Sequence, residues 1–222
     1  MKVAIDGPAA SGKSTTAKLI ADKLDFTYID SGAMYRAVTL KWLEKTEAKK
    51  SSEDDAILAD IVSALKIDFK DNGKSILVNN EDISDQIRTS KISQNVSYVA
   101  SFASVREELV KQQRALSDGR NVVMDGRDIG TVVFPDAEVK IFLVASAETR
   151  AKRRILDLKR LGENSELQVL IEEIKQRDKL DSQREIAPLT KAKDAIEIST
   201  DNKSIDEVTQ VIISEIEKFI AV

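Results

Sequence analysis

The chain has 222 residues, 34 Lys and Arg against 38 Asp and Glu, a net charge of −4, and neither His nor Cys. The two absences exclude a disulfide framework, a zinc–thiolate or iron–sulfur centre, a thiol nucleophile, a Ser-His-Asp triad and any imidazole base. The length suits one α/β domain with a small insert, the acidic balance argues against a surface built as a whole for nucleic acid or anionic lipid, and no apolar run is long enough to span a membrane.

In chain order, Val3-Ala4-Ile5 reads as a short buried strand entered directly from Met1, which leaves no signal peptide and points to the cytoplasm. Gly7 to Gly12 reads as a loop, and Ala17, Ile20, Ala21 and Leu24 give Lys13–Lys23 helical spacing. Phe26–Ile29 is a second strand closing on Asp30. Ser31 is expected to cap a helix carrying Met34, Val38, Trp42 and Leu43, and Ser52-Glu53-Asp54-Asp55 to open another running to Leu65. Ile67–Lys70 and Ser75–Val78 flank Asp71-Asn72-Gly73-Lys74, where Asn-Gly signals a hairpin, so residues 66–90 read as an antiparallel insert. Helices are expected over Ser90–Val99 and Ser104–Leu116, then strands over Asn121–Met124 and Val139–Val144. Charged helices follow over 147–161 and 166–182, then a last strand over Ala195–Ser199. A C-terminal helix should carry Ile205, Val208, Ile212, Ile216 and Phe219 on one face. Five core strands alternating with helices predict a parallel sheet covered on both sides, a three-layer α/β fold.

Gly7-Pro8-Ala9-Ala10-Ser11-Gly12-Lys13-Ser14 fits the G-x-x-x-x-G-K-[ST] phosphate loop and lies where it must, between a strand and a helix. Its glycines let the backbone curl around phosphate, with the helix N-terminus behind. Lys13 can reach the terminal phosphates and Ser14 can offer a hydroxyl to Mg²⁺. An apolar strand ending in Asp could orient that metal; Asp125 and Asp6 are both candidates, and strands also end in Asp for turn reasons.

Asp30-Ser31-Gly32-Ala33-Met34-Tyr35-Arg36 places Ser31 at a helix start with Arg36 about one and a half turns on. An anion site and plain capping beside a solvated Arg both fit that segment. Asp125-Gly126-Arg127-Asp128-Ile129-Gly130 follows the end of a buried strand, where open α/β sheets bind ligands. There Arg127 could clamp a phosphate and Asp128 could accept from an amino or hydroxyl group, against the alternative of a tight turn with a local ion pair. Lys140–Arg160 holds seven basic residues and two acidic ones, and Arg150, Arg153 and Arg154 share a helix. Arg177, Asp181 and Arg184 recur at helical spacing on the next. Such runs are most often solvated faces, but a helical pair could also swing Arg over transferring phosphates. Of the basic residues, 22 are Lys and 12 Arg, which suggests that Arg is kept for sites needing a planar fork.

Taken with Gln86-Ile87-Arg88-Thr89, the continuation Gly130-Thr131-Val132-Val133-Phe134-Pro135 and Arg177-Asp178…Ala187-Pro188-Leu189, these segments resemble, essentially end to end, the bacterial cytidylate kinases, a P-loop nucleoside monophosphate kinase group. The resemblance implies a five-stranded parallel P-loop fold with a core over 1–50, 100–146 and 185–222, a monophosphate-binding insert over about 51–99 and a helical lid over about 147–184. It implies transfer of the γ-phosphoryl group of ATP to CMP or dCMP, with Mg²⁺ as cofactor. ATP would lie on Gly7, Pro8, Ala9, Ala10, Ser11, Gly12, Lys13, Ser14 and Thr15. Arg36, Arg127 and Arg184 would hold the CMP phosphate beside Ser31; Ser97, Arg106 and Asp128 would read the cytosine edge; Arg177 and Asp181 would contact the ribose. Lys13, Arg36, Arg127 and Arg184 would be the catalytic set, Ser14 the metal contact, and Arg150, Arg153 and Arg154 lid residues. The resemblance further implies a cytoplasmic monomer that takes no nucleic-acid or membrane partner. The alternatives are a P-loop kinase for UMP, AMP or a hydroxylated metabolite, and a non-catalytic nucleotide-binding regulatory module. A hydroxyl acceptor would want a carboxylate base near the transfer site, whereas a phosphate acceptor wants several Arg.

Overall fold

Strands β1 (Lys2–Asp6), β2 (Thr27–Asp30), β6 (Val122–Gly126), β7 (Val139–Val144) and β8 (Ile196–Ser199) form one parallel sheet in the order β2-β6-β1-β7-β8. A computed structural model describes residues 1–160 and 162–220. Leu161, the last residue of the helix expected over 147–161, and Ala221 and Val222, the end of the expected core, lie outside the described residues.

The sheet is covered on both faces because its strands are apolar on both. Along β1, Val3 and Ile5 belong to one apolar cluster and Ala4 to the other; along β6, Val123 faces one way, Val122 and Met124 the other. Helices α1 (Lys13–Leu24) and α8 (Ile205–Ile220) fill the first face through Ala17, Ile20, Ala21, Val208, Ile212 and Ile216. Helices α2 (Ser31–Thr46) and α5 (Ala103–Ser117) fill the second through residues such as Met34, Val38, Trp42, Val105 and Leu109. On α8 the buried stripe is shorter than its spacing suggested and also takes in Thr209 and Ile213. Ile205 is 49% and Phe219 54% exposed, because the sheet reaches only the middle turns of that helix.

Between α2 and α5 lie α3 (Asp54–Ala64), a three-stranded antiparallel sheet of β3 (Ile67–Lys70), β4 (Ser75–Val78) and β5 (Glu81–Asp82), and α4 (Ser90–Val99). Leu58, Ile61, Val62, Ile76, Val78 and Ile92 join the same apolar cluster as Ala4 and Met124, so this insert packs into the core of the large sheet. Its hairpin tip does more than reverse the chain. Asn72 accepts from the Tyr28 N–H at 3.0 Å, and Gly73, at φ +76°, lies so close to Tyr28 that a Cβ there would fall 2.4 Å from its ring. Asn-Gly at this position therefore serves the docking onto β2 as well as the turn.

Two helix starts differ from expectation. Asp30, not Ser31, caps α2: its carboxylate accepts the Ala33 N–H at 2.9 Å, while Ser31 is buried and donates to the Asp125 carbonyl at 2.6 Å. Helix α3 starts at Asp54, which is buried and accepts from Trp42 at 3.1 Å and Tyr98 at 2.7 Å, so this acid ties α2, α3 and α4 together. Helices α6 (Ala147–Arg160) and α7 (Leu167–Ser182) pack on each other through their own small cluster of Ala151, Leu158, Leu170 and Ile174. Arg184 lies beyond the end of α7, so its helical spacing from Arg177 is not realised as one face. Among the described residues no helix is long and apolar enough to cross a membrane.

Candidate active site

The register of the sheet builds one working edge. Asp30 of β2 stands opposite Asp125 of β6, and Asp6 of β1 opposite Gly126, so the carboxyl ends of three neighbouring strands stop at the same level. The loops that follow them meet there, which is where ligands bind in open α/β sheets.

The loop over Gly7–Gly12 is braced from outside. The carbonyl of Ala9 accepts from Arg150 at 3.3 Å, that of Ala10 from Arg153 at 3.5 Å, and that of Ser11 from Thr200 at 3.1 Å. A planar peptide sets its C=O and the next N–H in opposite directions, so the amides of Ala10, Ser11 and Gly12 point away from Arg150, Arg153 and Thr200. The loop needs backbone that few residues adopt: Ala10 stands at φ +59°, Gly12 at φ +98°, and Gly7 at φ +147°, with its Cα against Leu143, where a Cβ would fall 2.2 Å from the Leu143 carbonyl oxygen. Helix α1 starts on Gly12 with no side-chain cap and no acidic residue in its first turn, so its leading N–H groups are available to an anion. Thr15 lies in that turn and is exposed.

Lys13 is buried and folds back on the loop, donating to the Pro8 carbonyl at 2.7 Å and to Ser11 Oγ at 3.5 Å. Burial, reinforced by Arg127, lowers its pKa to about 7. Ser14 donates to Asp125 Oδ2 at 2.8 Å, and Tyr28 donates to Asp125 Oδ1 at 2.6 Å. Burial, with Asp30 adding to it, pushes Asp125 up to about 6. The hydroxyl–carboxylate pair is a hard oxygen set suited to Mg²⁺, which keeps water and phosphate oxygens as most of its ligands. Among the described residues no group of three or more His, Cys, Asp or Glu is placed to hold a metal ion.

Facing the loop, Arg127, Arg177 and Arg184 gather around Asp181, and Arg36 lies beside them. Arg127 Nε donates to Asp181 Oδ2 at 2.9 Å, Ser97 donates to Oδ1 at 3.2 Å, and Arg184 Nη2 lies 3.7 Å from Oδ1. Arg36 donates to Ser93 at 3.0 Å. Arg177 is half-buried, and its Nε, fully out of solvent, has no hydrogen-bond partner among the described residues. Burial, then its neighbour Arg127, pushes Arg177 down to about 9. Arg36 is also lowered, first by burial, with Arg154, Arg127 and Arg88 adding to the effect. For Asp181 burial alone would raise the pKa, but Arg127, Arg177 and Arg184 outweigh it and hold the carboxyl below its ordinary range. This is a pocket of crowded positive charge in which Asp181 pairs with Arg127 and Arg184, while Asp30 acts on Arg36 and Asp128 on Arg184 from further off.

Next to it, Arg106 and Asp128 form a buried ion pair, and Arg106 also donates to the Ala100 carbonyl at 3.2 Å and lies 5.4 Å from the Tyr35 ring centre. Arg184 reaches the same carbonyl at 3.4 Å. Of the three arginines of α6, Arg150 pairs with Asp178 at 2.5 Å and Arg153 bonds Thr200 at 3.0 Å. Both are thus spent on fastening α6 to α7, the phosphate loop and the turn after β8. Arg154 alone acts electrostatically on Arg36 and Arg177.

The cytidylate kinase family model matches residues 3–218. The chain belongs to the cytidylate kinase family. It is 51% identical over 216 residues to a cytidylate kinase of Bacillus cereus (strain ATCC 10987 / NRS 248), covering 96% of this chain and 95% of that one. With a cytidylate kinase of Oceanobacillus iheyensis it shares 50% over 217 residues, covering 98% and 94%. In three dimensions it is similar to an uncharacterized protein from Eubacterium ventriosum ATCC 27560, at a TM-score of 0.51 and 15% identity over 98% of each chain, a likeness of fold alone.

The residues expected from the sequence lie on the loops that follow β1 and β6, on α1, α2, α4, α5, α6 and α7, and, for Arg184, just past the end of α7. Four side chains that shape the edge were not in that set. Tyr28 orients Asp125, Ser93 receives Arg36, and Tyr35 lies under Arg106. Asp6, weighed only as a metal carboxylate, is instead occupied by two backbone N–H groups. The residues over Ile129–Val133 form a single π-helical turn, an irregularity with no signal in hydrophobic spacing.

Proposed function

We propose that this member of the family transfers the terminal phosphoryl group of ATP to CMP or dCMP, with the polyphosphate on the Gly7–Thr15 loop and the acceptor phosphate among Arg36, Arg127 and Arg184. The arginine group around Asp181 carries the reading. Largely enclosed guanidiniums that repel one another, with Asp181 paired to two of them, are matched by an incoming phosphate, and their planar forks suit its oxygens. The acceptor is already an anionic oxygen, so no protein base is required. The work is to hold two anions in line and to neutralise the charge that spreads over the transferred group. Lys13 would supply that charge at the donor end, and Arg36, Arg127 and Arg184 at the acceptor end. Ser14, with Asp125 behind it, would hold Mg²⁺, which adds charge neutralisation on the donor phosphates. The buried Arg106–Asp128 pair, with Ser97, would read the base: a carboxylate accepts from the cytosine amino group but faces an acceptor oxygen in uracil. Arg177 and Asp181 would meet the ribose. In keeping with a small-molecule reaction, the chain would act as a cytoplasmic monomer on free nucleotides.

A coupled assay of ATP with CMP, dCMP, UMP and AMP tests the reading. CMP and dCMP should turn over at least about tenfold faster than the other two at limiting concentration, the cost of one mismatched buried polar contact. No turnover with CMP or dCMP would overturn it.

A second expected result concerns protonation. Phosphate oxygens favour the charged form of Lys13, whose pKa in the free protein is about 7. Binding of ATP at pH 8 should therefore take up on the order of one proton per site. Calorimetry in buffers of different ionisation enthalpy reads this directly, and an enthalpy independent of buffer would refute it.

A further inference from the structure

We propose that Asp6 is a positioning residue for nucleobase discrimination: it holds the turn that aims Asp128. This rests on the reading of Asp128 as the group that recognises the base.

The turn begins immediately after Asp128, and any helical turn leaves its first N–H groups without partners inside it. Here the two at its start are taken by a side chain from another strand. Asp6 Oδ1 accepts the Ile129 N–H at 2.8 Å and Oδ2 accepts the Gly130 N–H at 2.7 Å. One carboxylate thus caps the turn from more than 120 residues away in sequence, with both of its oxygens used.

The carboxylate is well placed for this. Asp6 ends β1 beside Gly126 of β6, so it stands next to the strand from which the Arg127-Asp128 segment leaves. It is 4% exposed, which shields both charge-assisted bonds from water. Gly130 admits it closely: a Cβ at Gly130 would lie 3.4 Å from Asp6 Oδ2 and 3.2 Å from the Lys140 side chain, so the turn is gripped between the two. The backbone at Asp128 is irregular, at φ −146° and ψ 25°, and its carbonyl receives the Val132 and Val133 N–H groups at 2.9 and 3.2 Å. A residue held in that way points its side chain wherever the turn is fixed, and here the side chain meets Arg106. Burying an acid without a cationic partner is costly, and Asp6 is pushed up to about 7 chiefly by burial.

The test is the ratio of kcat/KM for CMP to that for UMP, which does not depend on how much of a preparation is folded. It is measured in the wild type, Asp6→Asn, Asp128→Asn and the double variant. Asparagine keeps one acceptor but presents an amino group to the other N–H. Asp6→Asn is expected to lower the ratio about fivefold to tenfold, Asp128→Asn by at least about tenfold, and the double variant no further than Asp128→Asn alone. Asp6→Ser, which can accept one of the two N–H groups, takes its place if Asp6→Asn gives no soluble protein. An unchanged ratio at Asp6, with both substrates slowed alike, would make its role purely structural and overturn the proposal while leaving the base reading intact. Effects that multiply in the double variant would also overturn it. An unchanged ratio in Asp128→Asn would remove the base reading and the proposal together.

Discussion

Lys13→Ala is expected to slow CMP phosphorylation by about a thousandfold or more, the order lost when one charged or hydrogen-bonding group aimed at a developing anion is deleted. Its melting temperature should not fall correspondingly. Lys13 is buried and its ammonium donates to the Pro8 carbonyl and Ser11 hydroxyl, and burial, reinforced by Arg127, depresses its pKa from the ordinary 10.5 to about 7. A lysine depressed in this way costs stability in full below about pH 7, where it is charged in both states. The cost fades as pH rises from 7 towards 10.5, because the unfolded chain there binds the extra proton. Thermal melts across that window should therefore rise more for the wild type than for Lys13→Ala. Activity near wild type would refute the role of Lys13, and a large loss of stability at pH 7 would refute the account of its burial.

Asp181→Ala is expected to carry the second large effect. It removes the one carboxylate, among the described residues, within ion-pair distance of Arg127 and Arg184, and leaves those two beside Arg36 and Arg177 with only the more distant Asp30 and Asp128 to offset their repulsion. Breaking a buried pair by deleting one partner costs about 3–5 kcal/mol, or roughly 10 °C in melting temperature for a chain of this size. The sign of its pH dependence follows. The pKa of Asp181 is depressed on folding, so its contribution is present at neutral pH and is lost only as acid protonates it. Because phosphate can take the place of the missing charge, inorganic phosphate or CMP should restore more of the melting temperature in the variant than it adds to the wild type. A variant that melts within about 2 °C of wild type, and gains no more from phosphate, would show that the arginines do not depend on Asp181.

Both residues were visible before any coordinates, for different reasons. Lys13 belongs to a local pattern, in which eight consecutive residues between an apolar strand and a helix leave the backbone little choice but to curl. The strands were equally legible, since Val3-Ala4-Ile5, Val122-Val123-Met124 and Val139–Val144 are apolar on both faces and only a doubly covered sheet buries both. Asp181 was legible only through resemblance. Its spacing from Arg177 suggested a shared helix face, but the suggestion that Arg184 continues it failed where α7 ends. Helix α8 shows the same limit: periodicity marks which side of a helix is apolar, not how far along it the sheet extends, and Ile205 and Phe219 lie past that reach.

What local patterning decided, then, is the three-layer fold, the phosphate loop and the kind of charge at the site, because each is set by residues within one turn or strand of one another. Tertiary structure decided which groups are spent and which are free. Arg150 and Arg153 read alike with Arg154, yet the first two brace the loop carbonyls and the third faces the arginine cluster. Asp6 and Asp125 read alike as acids ending strands. One caps a turn built more than 120 residues later, and the other receives Ser14 and Tyr28. A side chain's chemistry is written in the sequence, but its partner depends on strand order and register, and these emerge only when the sheet assembles.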